Sequence, residues 1–277
     1  MFLLKSYPFY SYLPNIPGPI AFAVIIGLSL IGWIVQSIQA KFKPTRLIII
    51  VTISHLTILI DSILRAVLSD TVRNTQRAYS ASTSLLAVGQ RLLIVSNYLF
   101  LVEWILLFKS STKLPRIVST VVILFVIISG VLLVPANSLS FNSEKLAMSV
   151  HFRQISCAII LCKAVSFYVL WFYVYKRCYL SSKKSYMWSF TRSILLLSIN
   201  SLLALCVAIY LVVFSIPEKW NVLSQNEVWF YYFHLGPIIL SQCMWTLNHP
   251  KYSLPRRRTI DKDQIPTLST TNALADI

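Results

Sequence analysis

Charged residues are scarce in this 277-residue chain: Asp, Glu, Lys and Arg make up 12% of it, where a soluble domain carries about a quarter. Glycine is scarcer, with six residues. None of the six sits in a nucleotide-cradling loop, which argues against direct ATP-driven pumping by this chain. The sequence has no His-Glu-X-X-His and no workable Ser-His-Asp set, so no enzyme, metal or cofactor is expected. It also has no Asn-X-Ser/Thr acceptor to mark an outer face. Acids are the rarest charge, nine against 25 Lys and Arg.

Five cysteines are too few and too deep for a disulfide framework. Cys157, Cys162, Cys206 and Cys243 fall in apolar stretches, where thiols behave as small hydrophobes. Cys178 lies at the end of such a stretch and is a candidate for palmitoylation.

What the chain has is hydrophobic length. Apolar residues make up 56% and mean hydropathy is +0.69. About 20 apolar residues cross a bilayer as a helix. Seven stretches qualify, near 19–39, 46–68, 83–108, 116–135, 153–175, 190–214 and 228–246. The expected fold is an all-α integral membrane bundle of seven helices. It divides into an N-terminal segment 1–18, a membrane domain 19–246 and a cytoplasmic tail 247–277 that is basic, then disordered. The first 15 residues lack the pattern of a secretory signal, so the first span is expected to direct insertion.

Basic residues set the expected orientation. Fifteen flank one side, among them Lys41, Lys43, Arg46, Lys176, Arg192, Lys251 and Arg256 to Arg258. Six flank the other: Lys5, Arg73, Arg77, Lys145, Arg153 and Lys219. The richer side should be cytoplasmic, with the N-terminus outside. Topology thereby accounts for the net charge of +16, and no nucleic-acid partner is expected. Arg256 to Arg258 can attract anionic lipid. Trp104, Trp171, Trp188, Trp220 and Trp229 read as interfacial belts.

Polar groups inside the spans are the candidate site, because charge in hydrocarbon is costly. Asp61 and Arg65 stand four apart and can share a helix face. Arg91 offers a second partner to Asp61 if the second and third spans pack together. These residues fit either ion pairs that hold the bundle or contacts to a substrate, with Arg65 leaning structural. Lys163 lies deep in the fifth span with no acid nearby in its own helix, and is expected to line a polar cavity. Glu103 reaches it only if the third and fifth spans adjoin. His55 and His234 fit proton transfer, ligand binding or plain interhelical bonds. Asn97 and Gln242 are neutral polar companions, Asn200 can form an interhelical hydrogen bond, and Pro237 is expected to kink the seventh span.

Several motifs resemble those of the fungal lipid-translocating exporters, the group of aminocholesterol-resistance proteins and the sphingoid long-chain-base exporter. They are Tyr12-Leu13-Pro14-Asn15 before the first span, Tyr98 in the third, and the ending Asn226-Glu227, Tyr231-Tyr232-Phe233, Pro237 and Asn248-His249-Pro250. The resemblance implies a seven-helix plasma-membrane protein, outside at its N-terminus, that moves amphiphiles. It also marks Glu227 and Pro237 as structural or gating candidates. This chain departs from the family at Glu103, where the family tends to have Arg, at His234, where it has an acid, and around Asp61.

The expected function is translocation of an amphiphilic, lipid-like substrate along a groove lined by Asp61, Arg91, Lys163, His55, His234 and Asn200. The expected partners are membrane lipids and that substrate. Three cations against two acids in the spans favour a phosphate or carboxylate headgroup, so a porphyrin or haem precursor is an alternative, with His55 or His234 on iron. A lipid or stress sensor without transport is the other alternative. A G-protein-coupled receptor is disfavoured, since Asp-Arg-Tyr, Asn-Pro-X-X-Tyr and an outer cysteine pair are missing.

Overall fold

A computed structural model describes residues 16–68, 72, 75–108, 113–181, 187–223 and 226–254. The lead-in before Ile16, Arg73 and Arg256 to Arg258 lie outside them, as do the side chains of Cys178 and Trp188. Among the described residues there are helices and no strand: α1 (Pro17–Gln39), α2 (Thr45–Val67), α3 (Gln76–Phe108), α4 (Lys113–Leu139), α5 (Leu146–Ser181), α6 (Met187–Phe214), α7 (Pro217–Leu223), α8 (Glu227–Phe230), α9 (Gly236–Leu247) and α10 (Pro250–Ser253). A 3₁₀ turn, Ser143–Lys145, leads into α5, and a π-helical turn, Tyr231–Leu235, joins α8 to α9.

The first six helices are each long and apolar enough to cross a membrane. The shortest, at 23 residues, measures about 35 Å against a hydrocarbon core of about 30 Å. Their outward faces carry Leu28 and Ile31 on α1, Leu124 and Val131 on α4, and Val169 and Phe172 on α5, all exposed. A water-soluble monomer rarely shows apolar surface on this scale. The chain is an all-α, multi-pass membrane protein.

The seventh hydrophobic stretch is helical but not one regular helix: α8, the π turn and α9 run on from one another. Pro237 explains the break. It has no N–H for the carbonyl of Phe233, and its ring would collide with that carbonyl in a regular helix. Widening the preceding turn relieves this, and the Gly236 N–H reaches back five residues to Tyr231 O. Gly236 suits that turn, because a Cβ there would stand 2.5 Å from Tyr231 O.

The third span is the axis of the bundle. Of its most apolar window 83% is buried, against 17% for α4. It touches α2, α4, α5, α6 and α9, and the other helices close round it through α1–α2, α4–α5, α5–α6, α6–α9 and α9–α1 contacts. The two helices that begin furthest ahead of their hydropathic spans, α3 at Gln76 and α5 at Leu146, both extend at the same end. Trp104, Trp171 and Trp220 are not belt residues: they are buried in the core, and Trp104 packs edge-on to Trp171 at 6.0 Å. Only hydropathic position suggested a belt, and their burial on inward helix faces overrides it. Trp229, 42% exposed, keeps that reading.

Helices α2 and α3 meet at Gly89. Its carbonyl accepts the Ser54 hydroxyl at 2.7 Å, and a Cβ there would stand 2.4 Å from Ile58 Cδ1 and 2.8 Å from Thr57 Oγ1. Gly89→Val should therefore destabilise the bundle by about 1–3 kcal/mol, the cost of overpacking. Gly130 has nothing within 4 Å, so Gly130→Val should stay within about 0.5 kcal/mol. Thermal melting of the two proteins in detergent tests the contrast, and equal melting would contradict this crossing.

Candidate functional site

Most of the membrane-embedded polar groups form interhelical bonds. His55 on α2 is fully buried between Val51 O (2.9 Å) and Ser29 Oγ (3.2 Å) and stacks on Trp33. With both ring nitrogens engaged, it joins α1 to α2 and has no nitrogen to offer a ligand. Ser29 also meets Thr246 at 2.8 Å, which brings in α9. Gln242 Nε2 donates to Ser54 Oγ at 2.7 Å, and Ser241 donates to Asn200 Oδ1. Asn200 therefore ties α6 to α9.

His249, in the Asn248-His249-Pro250 ending, closes the opposite end from the cavity described below. Its Nδ1 accepts the Lys251 N–H and its Nε2 faces Ser37 Oγ at 3.1 Å, so in the neutral ring Nε2 donates to Ser37. Burial, helped by the Lys251 charge, holds its pKa down at about 4. The ring is neutral at physiological pH, as the Lys251 N–H requires of its acceptor nitrogen.

Asp61 is fully buried. Its carboxylate pairs with Arg65 Nε at 2.9 Å and accepts the Ser82 hydroxyl at 2.5 Å. Arg65 also lies over the Phe230 ring, 4.7 Å from its centroid, which anchors the segment leading into the π turn. Arg91 is not the second partner of Asp61. Buried at 4% exposure, Arg91 reaches away from α2 to Ser129 Oγ (3.1 Å) on α4 and Ser156 Oγ (2.9 Å) on α5, besides Ala87 O and Ser129 O.

Lys163 is 7% exposed and donates to Val122 O at 2.8 Å, with Phe125 beneath its ammonium at 5.7 Å. It braces α5 on α4 and lies outside the cavity. Glu103 is half-buried and within electrostatic reach of Arg46 at the start of α2; it makes no ion pair with Lys163. Tyr98 donates to Lys163 O at 2.9 Å and so fastens α3 to α5. Glu227 sits in the first turn of α8, beside the Asn226 side chain that caps this helix through Val228 N.

The structure brings one set of groups together in a cavity of about 70 Å³. One water needs roughly 10–15 Å³ on this measure, so there is room for a group of several heavy atoms. The cavity lies where α2 and α6 finish and α3 and α5 begin. Arg65, Arg91 and Arg153 line it with His234, Gln90 and Tyr79, and Leu86, Leu133, Leu211 and Phe214 supply an apolar wall. Of the six residues proposed from sequence as substrate contacts, Arg91 and His234 are here, and Arg65 joins them from the structural candidates.

Arg153 is the residue that the sequence reading placed outside the bundle. The α5 helix starts at Leu146, which carries Arg153 inside, where it is buried and donates to Tyr79 Oη and Asn137 Oδ1, both at 3.3 Å. A signal was present: Ser149, Arg153 and Ser156 follow the spacing of a single helix face, and all three are buried.

No family model, curated protein or solved structure matches this chain. Among the described residues no three His, Cys, Asp or Glu side chains gather to hold a metal.

Breaking the Asp61–Arg65 pair should show in stability. Asp61→Asn leaves a partly buried guanidinium without its carboxylate and should cost about 3–5 kcal/mol, while adding Arg65→Gln should recover part of that loss. Melting of the two purified variants checks the pattern. A single variant as stable as the parent would contradict a stabilising pair.

Proposed function

We propose that this chain moves an amphiphile across the bilayer, taking its polar headgroup into the cavity while the apolar tail stays among lipids. One observation carries this reading. A cavity large enough for a small headgroup, lined by three guanidinium groups, sits inside a bundle whose outer surface is apolar. A headgroup dragged through bare hydrocarbon loses its hydrogen bonds at a cost of several kcal/mol. Polar partners between the helices lower that barrier.

In this reading α8, the π turn and α9 act together as the seventh span, and the count of flanking basic residues sets the N-terminus outside. The cavity then opens towards the outer leaflet. The break at Tyr231–Leu235 carries His234 to the cavity wall, so a change in that turn would alter the cavity's shape. The motif resemblance to lipid-translocating exporters, strongest between Asn226 and Pro250, supports the same activity and a plasma-membrane location. The process is movement without bond chemistry, so the protein is not an enzyme.

The test is transbilayer movement in vesicles of purified protein, with fluorescent phospholipid, sphingoid base and porphyrin in competition. One class should cross faster than in protein-free vesicles, and Arg91→Gln should slow it by about tenfold at equal protein content. If no class crosses faster, translocation fails and a sensor of lipid composition becomes the better account.

A further inference from the structure

We infer that the cavity is a binding site for an anionic headgroup, a phosphate or carboxylate, carried on an amphiphile. The inference names the substrate class for the translocation reading and rests on it for the tail.

The residues that line the cavity carry three guanidinium groups and no carboxylate. The nearest acid in the second helix, Asp61, is bonded to Arg65 and Ser82 and is not part of the lining. Arg91 is the clearest case. Its four hydrogen bonds all go to uncharged oxygens, two hydroxyls and two carbonyls. A guanidinium has five N–H donors, so one on Nη1 remains for a ligand. Neutral acceptors orient Arg91 without neutralising it, and a charge buried in this way favours an anion as partner.

Two further donors point to the same chemistry. Gln90 Nε2 and His234 Nε2 are buried, border the cavity and have no hydrogen-bond partner. The Gln90 amide nitrogen can only donate. His234 lies between the Tyr210 and Phe230 rings, 5.5 and 5.3 Å away, and is held facing the cavity. An oxyanion with several acceptor oxygens satisfies a guanidinium and an amide together, and His234 in its Nε2–H tautomer as well, because guanidinium geometry matches phosphate and carboxylate. An ammonium headgroup would meet like charge and no carboxylate in the lining. The apolar lining residues Leu86, Leu133, Leu211 and Phe214 offer the first carbons of a chain an apolar surface.

The experiment reads binding rather than flux, so it stands apart from the transport test. The full chain in phosphatidylcholine nanodiscs is titrated calorimetrically with dodecyl phosphate, dodecyltrimethylammonium and inorganic phosphate. Dodecyl phosphate should bind at least about tenfold tighter than the ammonium probe, and Arg91→Gln should remove that preference. Ala87→Leu fills the cavity without touching charge and should weaken dodecyl phosphate similarly, which guards against misfolding of the arginine variant. Arg192→Gln, remote from the cavity, should bind as the parent does. Equal binding of both dodecyl probes, or unchanged dodecyl phosphate binding in a folded Ala87→Leu protein, overturns the inference. Inorganic phosphate binding as tightly as dodecyl phosphate overturns the amphiphile and leaves a site for the free anion. If this selectivity holds while no lipid crosses vesicles, the translocation reading fails and the anion site stands.

Discussion

The hydroxyl of Ser54 joins three helices at one oxygen. It donates to Gly89 O on α3 and accepts from Gln242 on α9, while its own backbone belongs to α2. Hydrocarbon offers no water to a polar group, so each such group must find a partner within the protein. Lipid surrounding the bundle is as apolar as leucine, so burying leucine gives helices little reason to associate. Close packing and interhelical hydrogen bonds take over that role, each bond contributing on average about 0.6 kcal/mol. Ser54 gives two at once, and it can do so because Gly89 lets the backbones approach. Ser29, His55 and Thr246 repeat the arrangement one layer along, and Asn200 with Ser241 continues it to α6.

This constraint divides the polar residues into two populations. One is consumed in stitching: His55, Lys163 and Tyr98 are held by partners on neighbouring helices, and Asn200 accepts from Ser241. The other gathers at one end, where α3 and α5 run longer than the bilayer requires and bring Tyr79 and Arg153 against Arg91. There the stitching stays incomplete. Donors outnumber acceptors, and the shortage of acids in the whole sequence leaves few carboxylates to balance them. A site suited to anions follows from Arg91, a buried cation held by hydroxyls and carbonyls alone.

Fold class was legible because the membrane signal is additive over twenty residues and tolerates errors at the ends. The six long helices fall where hydropathy puts them, and the all-α class follows. The seventh stretch shows where that logic thins. Its composition is apolar enough, but Pro237 makes the local backbone a π turn, and hydropathy says nothing of hydrogen-bond register. Site residues were harder to read, since depth along a helix is visible in sequence while rotation and neighbours are not. Asp61 with Arg65 was readable from a spacing of four. Arg91 could not be assigned because Ser129 and Ser156 lie 38 and 65 residues away. Lys163 looked unpartnered because a backbone carbonyl such as Val122 O leaves no mark in side-chain composition. Arg153 was missed because a helix that starts two turns early converts a flanking charge into a buried one.

The central claim is that the cavity beside Arg91 is open to water while the remainder of the bundle interior is sealed. Cysteine accessibility tests it most directly: in a chain with its five native cysteines replaced, single cysteines are placed at Thr83, in the cavity, and at Ser241, in the sealed seam. A membrane-impermeant, negatively charged thiosulfonate added to intact cells should modify the Thr83 position and spare the Ser241 position. Modification of neither, or of both alike, would contradict a water-filled cavity set into an otherwise dry bundle.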